Sequence, residues 1–135
     1  MPTAFSLLRE RCSLSLREAA DFLAVRPDTV NSWSSGRNPA PAGAIEELRA
    51  LYKLIETAAE KSLIEIRALI KTQKPGQVEI GIAKSDKEAR SLGFPCVGSH
   101  AAMIGIVAAR LNYPVTVSPR GTTMATNAAV AVHKK

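Results

Sequence analysis

Three observations predict a mainly α-helical chain with a small α/β end. Apolar residues at helical spacing, broken by capping residues, fill the first forty positions. A stretch without Gly or Pro follows between Gly43 and Pro75. Two short β-branched runs then bracket two further helical segments. The expected architecture is an N-terminal bundle of short helices, a long connecting helix, and a β-α-α-β unit suited to dimerisation. Its boundaries fall at residues 1–72 and 75–118, with 119–135 expected to be a mobile tail because it is rich in Ala and Thr and ends in Lys-Lys.

The first helix is expected over Ala4 to Cys12, where Phe5, Leu8 and Cys12 share a face. Ser15 followed by Glu18 is a capping-box pattern, in which each side chain satisfies the other residue's free backbone N–H. A second helix then runs through Leu16, Ala19, Ala20 and Leu23, and ends in a tight connection at Ala24, Val25 and Arg26. Pro27 suits the first position of a third helix because the N–H it lacks would have no helical partner there. That helix should continue to Ser35 and stop at Gly36, which tolerates the left-handed backbone of a helix terminus.

In the long segment, Ile45, Leu48, Tyr52, Ile55, Ala59, Leu63, Ile66 and Ile70 recur at intervals of three and four. This is close to a heptad stripe. Leu51, Leu54, Ala58 and Leu69 widen it, so that one face can cover the N-terminal helices while another meets a second subunit. Ser62 with Glu65 repeats the capping-box pattern, so the helix either continues or breaks near residue 61. Beyond it, Val78, Ile80 and Ile82 alternate as in a strand. Ser85 is expected to cap a short helix ending near Gly93, and Ser99 a more apolar one reaching Leu111. Pro114 to Val117 reads as the second strand.

The chain of 135 residues carries a net charge of +6, with 46% hydrophobic residues, enough to bury a core. Residues 1–41 hold five Arg against four acids, whereas residues 75–135 hold seven bases against three. Overall basicity therefore does not mark the N-terminal part as a nucleic-acid reader, and local pattern must do so. The longest apolar run, residues 101–109, is too short to span a bilayer, and Met1 to Arg11 has no basic region ahead of an apolar one. A cytoplasmic location is expected, with Cys12 and Cys96 reduced. Cys96 and His100 stand four apart ahead of a helix, but no acidic partner lies close in sequence. Cys12, Cys96, His100 and His133 lack a metal-ligand spacing. Phosphate-loop and dinucleotide fingerprints are absent, so neither enzyme activity, nor a cofactor, nor a metal is expected.

The third helix carries the functional signal. Val30 and Trp33, three residues apart, form an apolar back, while Asp28, Asn31, Ser32 and Ser35 project elsewhere. Two short helices joined by a tight turn, the second apolar behind and hydrogen-bonding in front, meet the physical requirement for entering a DNA major groove. For each polar residue the alternative is a solvated helix face.

The run LRERCSLSLREAADFLAVRPDTVNSWSSGR resembles the helix-turn-helix of the phage repressor and Cro family. Leu8, Arg9, Leu14, Ser15, Glu18, Ala20, Leu23, Val25, Thr29, Val30, Trp33 and Gly36 match in register. Ala24 stands where the family prefers Gly, Arg26 where it prefers a Ser or Thr cap, and Leu16 replaces a Gln that often contacts DNA. The order of segments more loosely resembles the anti-CRISPR-associated autorepressors. The resemblance implies groove-facing Arg26, Pro27, Asp28, Asn31 and Ser32. It also implies Thr29 and Arg37 near phosphates, and Ser15 and Arg17 as the contacts available from the second helix. Asn31 suits adenine N6 and N7, Arg26 guanine O6 and N7, and Asp28 cytosine N4.

The implied function is a sequence-specific transcriptional regulator: a homodimeric autorepressor that reads an inverted-repeat, double-stranded DNA operator with residues 27–35. The alternative is an antitoxin-like protein-binding module that autoregulates through the same helices, its strand-containing region engaging a partner protein.

Overall fold

The computed structural model describes residues 2–120 and 130–133, the latter through their backbone. The chain is mainly helical with a small parallel strand pair. It divides into two compact units, residues 1–55 and 56–135. One uninterrupted helix, α4 (Ala42–Gln73), contributes to both. Its 32 residues correspond to about 48 Å at 1.5 Å per residue. The break considered near residue 61 does not occur, and Ser62 is buried inside the helix. No Gly or Pro interrupts the periodic apolar stripe, so the local capping pattern has nothing to terminate.

In the first unit, α1 (Ala4–Arg11) is capped by Thr3 and Ser6, each side chain bonding the other's backbone N–H at 3.0 Å. Helix α2 (Leu16–Leu23) starts with the expected Ser15–Glu18 box. Glu18 N–H donates to Ser15 Oγ at 3.1 Å and Ser15 N–H to Glu18 Oε1 at 2.9 Å. It ends at Ala24, held left-handed at φ 58°, and Val25 N–H reaches back to the Ala20 carbonyl at 3.0 Å. Helix α3 (Pro27–Ser35) has Pro at its first turn and ends on Gly36 at φ 85°. Phe5, Cys12, Leu14, Ala19, Ala20, Leu23, Val30, Leu48, Leu51 and Ile55 are all buried. Each large apolar side chain among them contributes on the order of 1.5–3 kcal/mol through removal from water.

In the second unit, β1 (Gln77–Ile82) lies between β2 (Val115–Pro119), which runs parallel to it, and β3 (Val130–His133), which runs antiparallel. Val78 pairs with Val115 and Ile80 with Val117. A parallel pair cannot be joined by a tight hairpin, and the crossover is supplied by α5 (Asp86–Ser91) and α6 (Val97–Leu111). Val78, Ile80, Ala89, Phe94, Met103, Ile104, Val107 and Leu111 are buried, with Ala59, Leu63 and Ile66 of α4. The expected β-α-α-β order is present.

Two expectations need correction here. Ser99 does not cap α6: the helix begins at Val97, Cys96 is the N-cap residue, and Ser99 lies fully buried in the first turn. Asp86 of α5 accepts the Val97 N–H at 2.9 Å, so a carboxylate from another helix serves the end that a local hydroxyl was expected to serve. Three parts of the expected mobile tail are placed: Pro119 closes β2, Arg120 N–H donates to the Ile82 carbonyl at 2.7 Å, and residues 130–133 form β3 against β1. The rest of that expectation, residues 121–129 and 134–135, lies outside the described residues.

Candidate nucleic-acid interface

The polar surface of the first unit is set by which charges are already engaged. Of the five Arg in residues 1–41, Arg9 donates to the Leu14 carbonyl at 2.6 Å, closing the α1–α2 connection. Arg11 lies over the Tyr52 ring, 5.5 Å from its centroid, and donates to its hydroxyl at 3.3 Å. Arg17, Arg26 and Arg37 are exposed. They are three of the residues expected to face nucleic acid.

On α3, Val30 is fully buried, which turns Arg26, Pro27, Asp28 and Asn31 outward; all four are exposed. Arg26 is the N-cap residue of the helix but makes no side-chain cap bond. Thr29 is half-buried. Ser15 is exposed, though its hydroxyl and N–H are both engaged in the α2 cap.

Ser32 departs from expectation. It is 5% exposed, and its Oγ accepts the Asn38 Nδ2–H at 2.6 Å. Its carbonyl accepts from Asn38 N–H at 3.3 Å and from Ser35 Oγ at 3.2 Å. Ser32 therefore faces the loop after α3 and does not belong to the exposed reading set. The chain reverses at Gly36, and this brings Asn38 over Ser32, a return that helical periodicity alone cannot show.

Trp33 also sits differently from a simple core anchor. It is half-buried, with its ring edge-on to buried Phe5 at 5.5 Å between centroids and 75° between planes. Thr3 donates its hydroxyl toward the Trp33 and Ser34 carbonyls at 3.2 and 3.3 Å, so the N-terminal residues of the chain satisfy the end of α3. On its outer side Trp33 contributes to a shallow groove of about 370 Å³ lined also by Asp28, Thr29, Ser32, Arg37 and Asn38. The groove gathers Asp28, Thr29, Ser32 and Arg37 from the expected set, Ser32 being the buried one among them. Ser15, Arg17, Arg26, Pro27 and Asn31 lie outside its lining. Asn38 and Thr3 were not anticipated; the Thr3-x-x-Ser6 spacing signals a cap for α1, but nothing local signals its reach to α3.

In the second unit, His100 Nδ1 accepts the Ala83 N–H at 3.1 Å, and the ring packs edge-on to Phe94. Burial lowers its pKa to about 4, helped by the nearby Arg120 charge and opposed by Glu88. Cys96 Sγ lies 3.6 Å from Ser99 Oγ. Burial pushes the Cys12 thiol up to about 11, which keeps it protonated and unreactive near neutrality. Among the described residues no group of three or more His, Cys, Asp or Glu is placed to hold a metal ion, and no helix is long and apolar enough to cross a membrane.

Neither a family model nor a curated protein sequence matches the chain.

Proposed function

We propose that the chain is a sequence-specific DNA-binding regulator, a homodimeric autorepressor in which α2 and α3 act as a helix-turn-helix and α3 enters the major groove. One observation carries the reading. Helix α3 buries Val30 and turns Arg26, Asp28 and Asn31 outward together, while the other two Arg residues not engaged in holding the first unit, Arg17 and Arg37, lie exposed on either side of α3 in sequence. Arg26 and Asn31 supply the bidentate donors and acceptors that distinguish guanine and adenine edges, and Asp28 supplies an acceptor for cytosine N4. Arg17 and Arg37 supply charge for phosphates, which positions the helix without reading sequence. Ser15 remains a candidate backbone contact and Thr29 a phosphate neighbour.

Dimerisation follows from the mode of recognition, since two readers on one face of the duplex gain specificity from an inverted repeat. The proposed dimer uses residues 42–118, where Leu54, Ile64 and Val117 are exposed large apolar side chains. Selection of bound fragments from a random duplex pool tests the proposal. The expected product is an inverted repeat with half-sites about 10 bp apart, or a multiple of that, centre to centre. Light scattering at micromolar concentration should return the mass of two chains. A pool that emerges without enrichment, or a strictly monomeric mass, counts against the reading.

A further inference from the structure

Ser32 and the loop that follows α3 form a network of four bonds whose product is the position of one charged residue. Ser35 Oγ donates to the Ser32 carbonyl at 3.2 Å, and Arg37 N–H donates to Ser35 Oγ at 3.4 Å. Asn38 closes the loop from the far side, its N–H on the Ser32 carbonyl at 3.3 Å and its Nδ2–H on Ser32 Oγ at 2.6 Å. Gly36, at φ 85°, permits the reversal, and a Cβ there would meet Thr3 Cγ2 at 3.3 Å. Arg37, between these anchors, stays exposed and lines the groove with Asp28 and Thr29.

A loop anchored on both sides of an exposed Arg loses less conformational freedom when that Arg binds a ligand, because the backbone is ordered beforehand. Arg37 shares its groove with Thr29 and with Asp28, whose carboxylate is assigned to a cytosine edge, so the ligand that suits the exposed guanidinium, on the flank of a helix whose outward edge carries base-reading groups, is a backbone phosphate of duplex DNA. We infer that residues 36–38 form a phosphate clamp in which Arg37 is the contact and Asn38 is a positioning residue that acts through it by bonding Ser32. The inference rests on the DNA-binding reading and adds a residue, Asn38, and an assignment for Ser32 that the reading does not contain.

The test is a mutant cycle read by salt dependence. Wild type, Asn38→Ala, Arg37→Ala and the double variant are titrated by fluorescence anisotropy against the duplex enriched from the random pool and a scrambled duplex, across about 50 to 200 mM salt. Arg37→Ala should reduce the magnitude of the negative slope of log K on log salt by about 0.9, the value of one phosphate contact. Asn38→Ala should weaken both duplexes alike, by about fivefold, the worth of one net hydrogen bond, and should move the slope in the same direction. In the Arg37→Ala background it should have no further effect. A merely structural role for Asn38 would scale affinity equally at every salt concentration and leave the slope unchanged, since it alters only the folded fraction. An unchanged slope, or an Asn38→Ala loss that persists undiminished in the Arg37→Ala background, overturns the clamp. Absence of sequence preference in the wild type would instead remove the base-reading proposal, while the slopes on the scrambled duplex would still decide the clamp.

Discussion

Replacing Trp33 by Ala separates scaffold from contact at the residue where the two are most easily confused. Truncating a fully buried Trp or Phe costs roughly 3–5 kcal/mol. Trp33 is half-buried, so about half of that transfer cost applies, and the edge-on pair with Phe5 adds roughly 0.5–1.5 kcal/mol beyond area burial. The expected loss is about 2–4 kcal/mol, below the value for a fully enclosed ring with the same aromatic pair. Trp33 is the only Trp in the chain, so wild-type urea unfolding can be followed by its fluorescence, whereas the variant must be followed by far-UV circular dichroism. DNA binding is then measured at a temperature where the variant is still folded, and there it should be retained. Because the ring also lines the outer groove with Arg37 and Asn38, a contact role is a real alternative. A variant whose unfolding midpoint is unchanged but which no longer binds any duplex would refute the scaffold reasoning.

Ala24 holds a left-handed backbone that costs an L-residue roughly 1–2 kcal/mol, partly offset in a Gly replacement by the greater freedom of the unfolded chain. Ala24→Gly should therefore raise stability by about 0.5–1 kcal/mol in urea titration, and a loss would contradict the assigned conformation. His100 is held neutral by burial, so the unfolded chain takes up a proton first as the pH falls below about 6.5. Stability is present above that value and declines until the folded form protonates near pH 4, by up to about 3 kcal/mol. His100→Gln can still accept the Ala83 N–H but does not titrate, so the stability difference between pH 7 and pH 4.5 should shrink; equal differences in both proteins would exclude His100 as the source.

The elements most legible in the sequence are those whose ends are written locally. The Ser15–Glu18 box starts α2, Pro27 starts α3 and Gly36 ends it, because each signal acts within one turn of the residue that carries it. Val78 and Ile80 likewise declare β1 through alternation. What escaped was set by partners distant in the chain. Ser99 lost its capping role to Asp86, and residues 130–133 became a strand by pairing with β1. The candidate site divides the same way. Helical periodicity identified Asp28 and Asn31 as outward-facing, and the family resemblance added Arg26, but periodicity also placed Ser32 outward, because it does not register the Asn38 loop folding back over that side of α3.

The central claim is that the outward edge of α3 reads base identity, and Asn31 is its most direct witness. Asn31→Ala should cost about 1–3 kcal/mol on the enriched duplex and little on a scrambled one, with no change in salt slope and with fold stability barely altered, since the side chain is exposed. Titration of wild type and variant against both duplexes provides the measurement. A selective loss on the enriched duplex is the predicted result. Equal losses on the two duplexes would remove Asn31 from the reading set, and a wild type that binds both duplexes equally would contradict the account itself.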